Sequence, residues 1–600
     1  MNINKYLSIA PEEAVTLHGL FLERVKRTPE TLAYRYFDTQ NNVWKSFTWG
    51  EAQVQVARWQ AALANEKLAA GDRVAVMLRN CPEWIFYDQA ALSLGLVVVP
   101  LYTVDRPDNM AYIVNDANVK VVLFETQEQW QDISPVRERM PSVQRFVSIN
   151  RLNNDDQKLQ SVAHWLPASA QLQPLIQSDA RQLASIIYTS GTTGKPKGVM
   201  LSHFNILSNA QASLDTFPVR HDDVFLSFLP LSHTFERTLG YYLTVMTGAT
   251  VAFARSIPLL GEDMQIIQPT LLISVPRIYE RIYAALRAKL DEGSALRKKL
   301  FYFAVEVGWA RFLYQQGRGK WQWSFLLWPV LNKLVASKLL ARLGGKLRAA
   351  LSGGAALAPE ISRVFVGLGL PVVQGYGLTE TSPVISGNRL HNNFPDSVGQ
   401  VLLGVQVKLG EHNALLVKGP NVMLGYWNNP EATRAMIDND GWLNTGDIAS
   451  ISDTGHIRIT GRVKEIIVMS NGEKLPPADI EIAITRDPLF EQVLVLGEGR
   501  SYMVAVAVVN ADLWQQFARE IGVRPDMPES LGDTRVEQQA LQRIAAQLKE
   551  FPGYARIYRV LLVAEPWTVE NGILTPTLKM KRAHVVKKYA AEIEQLYEGH

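Results

Sequence analysis

A chain of 600 residues with 47% hydrophobic content can fill a large interior and exceeds what one hydrophobic core usually serves, so at least two domains are expected. The single cysteine, Cys81, excludes an intrachain disulfide framework and a cysteine-rich zinc site, suits a reducing cytosol, and reads as an incidental thiol. Net charge is only +3, but Arg281 to Arg348 holds 14 Lys/Arg against Asp291, Glu292 and Glu306, a local balance of +11.

At the N-terminus, Met1-Asn-Ile-Asn-Lys-Tyr-Leu7 lacks the basic-then-apolar layout of a signal peptide, so a cytoplasmic location is expected. Beyond Thr48, a helix-like stretch from Gly50 to Asn65 gives way to short apolar strands at Arg73 to Leu78, Gly95 to Pro100 and Val119 to Phe124. Such alternation implies parallel sheets covered by helices. Another short β-rich run spans Leu183 to Tyr188. The 17 uncharged residues from Thr238 to Ala254 carry threonines and glycines, which favours a buried helix or strand–turn–strand over a membrane span. Further strands are expected at Thr250 to Ala254, Thr270 to Val275 and Leu347 to Leu351.

The basic Arg281 to Arg348 segment holds four of the 14 tryptophans in helix-compatible sequence. Basic charge interleaved with Trp, Phe and Leu reads as an element for an anionic membrane surface, against the plainer reading of a helical hairpin with its aromatics packed inward. No nucleic-acid recognition module accompanies the charge, and nucleic acid is not expected as a partner. After Ser397 the strands crowd together, at Val405 to Leu409, Ala414 to Lys418 and His456 to Thr460, as in a β-rich subdomain over about 395–460. Gly461-Arg-Val-Lys464 interrupts this texture, and an α+β segment follows. The expected division is an N-terminal domain over 1–461, a hinge at 462–464 and a smaller C-terminal domain over 465–600.

Chemistry concentrates first in Tyr188-Thr-Ser-Gly-Thr-Thr-Gly-Lys-Pro-Lys-Gly-Val199. Glycines let backbone N–H groups turn inward around an anion, hydroxyls add donors and lysines neutralise charge. Thr189, Ser190, Gly191, Thr192, Thr193, Gly194, Lys195 and Lys197 therefore make a loop for a polyphosphate. The spacing is not that of a Walker loop, and Pro196 prevents a helix from beginning there. Gln374-Gly-Tyr-Gly-Leu-Thr-Glu380 offers glycines flat enough to admit a planar ring, Tyr376 as a stacking face, and Glu380 as a hard oxygen for Mg²⁺. Trp442-Leu-Asn-Thr-Gly-Asp447 sets an aspartate on what reads as a tight turn, suited to accept ribose hydroxyls. Arg462 follows it by 15 residues.

Taken in order with Leu229-Pro-Leu-Ser-His233-Thr-Phe-Glu-Arg237 and Gly572-Ile-Leu-Thr-Pro-Thr-Leu-Lys579-Met-Lys-Arg582, these strings resemble the adenylate-forming superfamily. The nearest resemblance is to long-chain fatty acid–CoA ligases, over nearly the whole chain. It implies an α/β fold: a large N-terminal domain of helix-covered sheets with a β-rich subdomain, and a small mobile α+β C-terminal domain. It further implies that Gly353, Gly354, Tyr376, Gly377 and Thr379 line the nucleotide pocket, and that Thr189 and Glu380 hold the metal. Asp447 and Arg462 contact the ribose side, and His233 lies near the acyl carboxylate.

By the same resemblance Lys579 is the catalytic lysine, with Lys581 the neighbour most easily confused with it, and Lys464 is the hinge. CoA meets a surface near Gly472. Val468 stands near the place where some members carry a second lysine, so no residue is assigned that role. Arg277 and Glu280 are expected to pair. The implied activity converts ATP, a long-chain fatty acid and CoA into acyl-CoA, AMP and pyrophosphate through an acyl-adenylate, with Mg²⁺ as cofactor. Alternatives are transfer to acyl carrier protein, a luciferase-type oxygenase, or a non-catalytic lipid-surface protein on the same fold. The expected seat is the cytoplasm, on the inner membrane surface.

Overall fold

The computed structural model describes residues 8–152, 156–174, 176, 179–189, 195–470, 473–549, 551–575 and 579–598. Ser190, Gly191, Thr192, Thr193, Gly194 and Gly472, and the side chain of Lys464, lie outside the described residues.

Two large sheets form the body. In the first, the parallel strands Arg73–Met77, Val97–Pro100, Val119–Phe124 and Arg145–Ser148 continue into the antiparallel hairpin of Leu183–Thr189 and Lys197–Ser202. In the second, Leu32–Asp38, Thr250–Phe253, Val224–Ser227, Leu271–Ser274, Ala349–Ser352 and Val372–Gly377 run parallel, and Val384–Gly387 turns back along the last of them. The near-continuous apolar runs of these strands match sheets buried on both faces. Between the sheets, Trp49, Trp59, Trp84, Tyr34 and Tyr87 anchor one extended core. Helix starts follow the capping rules: Thr48 and Glu51 form a reciprocal box at Trp49–Asn65, and Ser202 accepts from the Asn205 N–H at His203–Thr216.

The uncharged run from Thr238 is buried, as expected. It enters through a π-turn at Glu236–Tyr242, continues as Leu243–Thr247, and turns at Gly248 into the Thr250–Phe253 strand. The basic segment is helical: Pro276–Asp291, Ala295–Gln315 and a broken run from Trp323 to Arg342. Its inward residues join Leu272, Ala350 and Val372 in a core on the far face of the second sheet. The aromatics divide. Trp309 and Trp328 pack against that core, while Trp321 and Trp323 are exposed. The expected Arg277–Glu280 pair does not form a salt bridge. The two stand one helical turn apart, and the Arg277 charge acts on Glu280 from a distance, against the burial that raises the Glu280 pKa.

A four-stranded antiparallel sheet of Gln406–Leu409, Ala414–Lys418, Leu443–Ile451 and Ile457–Arg462 forms the β-rich part. The described residues from Ile467 onward build their own core around Phe490–Leu496, Met503–Val509 and Ile557–Val563. An ion pair joins this C-terminal part to the body. Arg486 reaches Glu360 at 3.3 Å, with both side chains more than a third exposed.

Candidate active site

One cavity of about 1380 Å³ opens where the two sheets, the β-rich part and the C-terminal part meet. Thr189, Lys195, Lys197, His233, Gly353, Gly354, Tyr376, Gly377, Thr379, Glu380, Arg462 and Lys579 all line it. Residues predicted across some 400 positions therefore share one chamber.

The residues expected to meet the phosphates stand on a hairpin. Thr189 pairs directly with Lys197 across the two strands that flank the loop. The two lysines rest on aromatic faces, Lys195 over Tyr112 at 5.2 Å and Lys197 over Tyr426 at 5.1 Å. Tyr426 also donates its hydroxyl to Glu380 Oε1 at 2.8 Å, so one ring steadies both a phosphate-side cation and the predicted metal-side carboxylate. Sequence reading missed Tyr112 and Tyr426. Their signal was faint, an isolated aromatic each, and Tyr426 reaches the site only because Gly425–Tyr426 pairs with Lys197–Ser202.

The residues expected to line the adenine pocket follow the ends of the parallel strands, where open α/β sheets place their ligands. Gly353 permits a close approach, since a Cβ there would lie 2.9 Å from the Phe235 ring. Tyr376 donates its hydroxyl to Asp447 Oδ2. The expected tight turn around Asp447 is an extended strand instead, and Gly446, at φ 73°, provides the local irregularity within it. The 15-residue spacing is a hairpin register. Asp447 faces Arg462 across the antiparallel pair, and Oδ1 meets Arg462 Nε at 3.0 Å. Asp447 lies behind Tyr376 and Arg462 and does not itself line the cavity. Each carboxylate oxygen keeps acceptor capacity beyond its present partner.

His233, expected near the acyl carboxylate, is half-buried and lines the cavity. Burial, reinforced by the nearby Lys579 charge, pushes its pKa down to about 4, so the ring is neutral at physiological pH. The Phe235 N–H donates to its Nδ1 at 3.3 Å, which leaves the ring proton on Nε2. His233 is therefore a neutral ring with its N–H on Nε2. Next to it, Phe235 and Leu239 join Phe217 and Val384 in an apolar wall.

Lys579 comes from the C-terminal part. Leu574 bridges Met580, Thr575 N–H donates to the Lys579 carbonyl at 2.8 Å, and Lys579 N–H donates to Thr575 Oγ1 at 3.0 Å. Its exposure is to the cavity. Surrounding protein and the Arg462 guanidinium lower its pKa, and Asp447, Glu380 and Glu465 partly restore it. Lys581 does not line the cavity and lies beside Arg106 and Asp105. Cys81 stands just before the Pro82–Ser93 helix without a side-chain cap, and burial holds its thiol well above the usual range, which leaves no reactive thiolate.

An AMP-binding enzyme model matches residues 21–427, and an AMP-binding enzyme C-terminal domain matches residues 464–600. The chain belongs to the AMP-binding enzyme family. It is similar to the peroxisomal long chain acyl-CoA synthetase 6 of Arabidopsis thaliana, with 32% identity over 98% of this chain and 87% of that one. It is also similar to the long-chain-fatty-acid–CoA ligase FadD15 of Mycobacterium bovis, with 30% identity over 96% of each chain. Its fold matches the adenylation domain of a carboxylate reductase from Mycobacterium chelonae at a TM-score of 0.77, with 22% identity over 100% of this chain and 94% of that one.

Proposed function

We propose that the protein activates a long-chain fatty acid with ATP and passes the acyl group to CoA. The observation that carries this reading is the meeting of Lys579 with His233, Glu380, Thr189 and Arg462 in one cavity. A carboxylate is a poor acyl donor because its leaving group would be oxide. Attack of its oxygen on the α-phosphorus expels pyrophosphate and yields a mixed anhydride whose leaving group is AMP. Thiol attack on that anhydride then gives the thioester.

The protein's part is positioning and charge neutralisation. The His233 Nε2–H donates to one carboxylate oxygen and leaves the other free to attack. Lys579 and Arg462 offset negative charge gathering at the α-phosphate. Tyr376 stacks on the adenine, and Asp447, behind Tyr376 and Arg462, accepts from the ribose hydroxyls as these two side chains shift to admit them. Lys195 and Lys197 leave their aromatic rests for the β and γ phosphates. Glu380 and the Thr189 hydroxyl form a sparse all-oxygen donor set, which suits Mg²⁺ carried in on phosphate oxygens. No cluster of three or more His, Cys, Asp or Glu that could hold a metal alone occurs among the described residues. Bound there, the ion would neutralise phosphate charge.

In this reading residues 1–461 form the substrate-holding domain, 462–464 the hinge about Lys464, and 465–600 a lid. Withdrawal of the lid removes Lys579 and admits CoA near Gly472. The test is fatty-acid-dependent pyrophosphate exchange across acids from acetate to stearate, followed by a choice between CoA and holo-carrier protein. Release of ADP and phosphate refutes the reading.

The reading includes a peripheral seat on an anionic bilayer at the inner face of the membrane. Support comes from the basic segment and from a helical run with two apolar faces. Leu331, Ala336, Leu339 and Leu343 are buried against the body, while Trp323 (79%), Leu326 (65%) and Val330 (57%) are exposed. Trp323–Arg342 is long and apolar enough to cross a membrane by composition, with mean hydropathy 1.2. Its inner face is occupied by protein, and Lys333 and Lys338 interrupt it, so it lies along a surface. Exposed Trp and Leu enter the interface while the basic residues meet lipid phosphates.

A further inference from the structure

We infer that Asn80 is a positioning residue for His233, a role that rests on the activation reading above. Asn80 follows the Arg73–Met77 strand of the first sheet, whereas His233 follows the Val224–Ser227 strand of the second. The Asn80 amide spans the gap with three hydrogen bonds. Its Nδ2 donates to the Leu229 carbonyl at 2.6 Å and to Ser227 Oγ at 2.8 Å, and its Oδ1 accepts from the Leu231 N–H at 3.0 Å. The orientation is forced, because the flipped amide would set an oxygen against the Leu229 carbonyl. A side chain from one sheet thus grips both sides of Pro230 in the other. The Pro230 carbonyl in turn accepts from the His233 N–H at 2.9 Å.

The grip continues on the far side of the histidine. Ser227 donates to Glu236 Oε1 at 2.6 Å, and Glu236 is only 1% exposed. Gly240 makes the room, since a Cβ there would lie 2.4 Å from that oxygen. Asn80, Ser227 and Glu236 therefore clamp the start and end of the segment that presents His233. None of the three lines the cavity, so each can reach substrate only through what it holds. The clamp also explains why the acyl-side donor keeps its aim although it stands on a loop. A misplacement of about 1 Å can cost about 10²-fold in rate.

The experiment compares Asn80→Ala, Asn80→Asp, His233→Ala and the Asn80→Ala/His233→Ala double variant of the full chain in fatty-acid-dependent pyrophosphate exchange. We expect kcat/KM for the fatty acid to fall about tenfold to a hundredfold in each single variant, through a raised fatty-acid KM. The KM for ATP should stay at its original value, and the double variant should be no worse than His233→Ala. Asn80→Asp keeps the size and the Leu231 contact but turns an oxygen on the Leu229 carbonyl, so it should fail with the alanine variant. If Asn80→Ala does not fold, the same cycle on Asn80→Asp decides. Additive losses in the double variant, an unchanged fatty-acid KM in Asn80→Asp, or equal rises in both KM values overturn the inference. No exchange by the unsubstituted chain overturns the activation reading itself, and the inference with it.

Discussion

Replacing Lys579 by alanine removes the lysine that the C-terminal part sends into the cavity. A unit charge developing about 4 Å from an ammonium is stabilised by about 4 kcal/mol at an effective dielectric near 20. Arg462, close enough to lower the Lys579 pKa, remains behind and keeps part of that field. The net loss should therefore resemble deletion of one preorganised donor, roughly 10²- to 10³-fold in acyl-adenylate formation. Pyrophosphate exchange reads this step, and thioester formation from synthetic acyl-AMP and CoA reads the other. The second should stay close to the unsubstituted rate, because the lid reading withdraws Lys579 before the thiol attacks. Lys464→Pro, which stiffens the hinge, should show the opposite bias. Lys581→Ala should be mild in both assays, since Lys581 lies beside Arg106 and Asp105 instead of the cavity. Burial and Arg462 also bring Lys579 below the ordinary lysine range, so the alkaline decline of adenylation should begin earlier than a free lysine would give. Equal impairment of both half-reactions by Lys579→Ala refutes the withdrawal, and loss of adenylation in Lys581→Ala refutes the assignment.

Glu236 is held neutral by burial, with a pKa pushed up to about 8 from 4.5, so the folded state keeps a proton that the unfolded chain releases. Stability should therefore fall as pH rises from about 4.5 to about 8, and Glu236→Gln should flatten that decline in urea unfolding; an unchanged slope counts against a neutral carboxyl. Tyr376→Phe keeps the ring but loses the bond that holds it on Asp447, so ATP affinity should drop by less than about tenfold. Tyr376→Ala should weaken ATP far more, and equal ATP KM values for the two variants would show that no stacking occurs. Co-sedimentation with anionic vesicles should fall with salt and with charge reversal between Arg281 and Arg348, at about 1 kcal/mol per surface-near basic residue. Trp323→Ser with Leu326→Ser should remove the part that survives salt. Equal binding to neutral and anionic vesicles at every salt concentration refutes the electrostatic seat.

The architecture was legible where pattern and geometry share a period. Apolar strands such as Val119–Phe124 and Ala414–Lys418 fall where their residues put them, because each is a complete local signal. The interval between Asp447 and Arg462 was legible as a number, and the hairpin register supplies its cause. The turn expected at Gly446 was misread because a glycine can bend a strand without ending it. Less visible were partners that meet only after folding. Asn80 meets Leu229 across 149 positions, and Tyr426 meets Glu380 across 46. The π-turn at Glu236–Tyr242 follows from tertiary demands on Glu236 and Arg237, the latter buried against Asp88, and no local spacing encodes it.

On the lid reading, the contact between Arg486 and Glu360 is one of the ties that opening must break. An exposed pair of this kind is worth at most about 1 kcal/mol and is screened by salt. Breaking it shifts the balance between closed and open forms by no more than about fivefold at 25 °C. A heavy bolt at that place would make every catalytic cycle wait on its release; on the lid reading a catch this light adds little to that wait, and the departure of pyrophosphate is left to decide when the lid lifts.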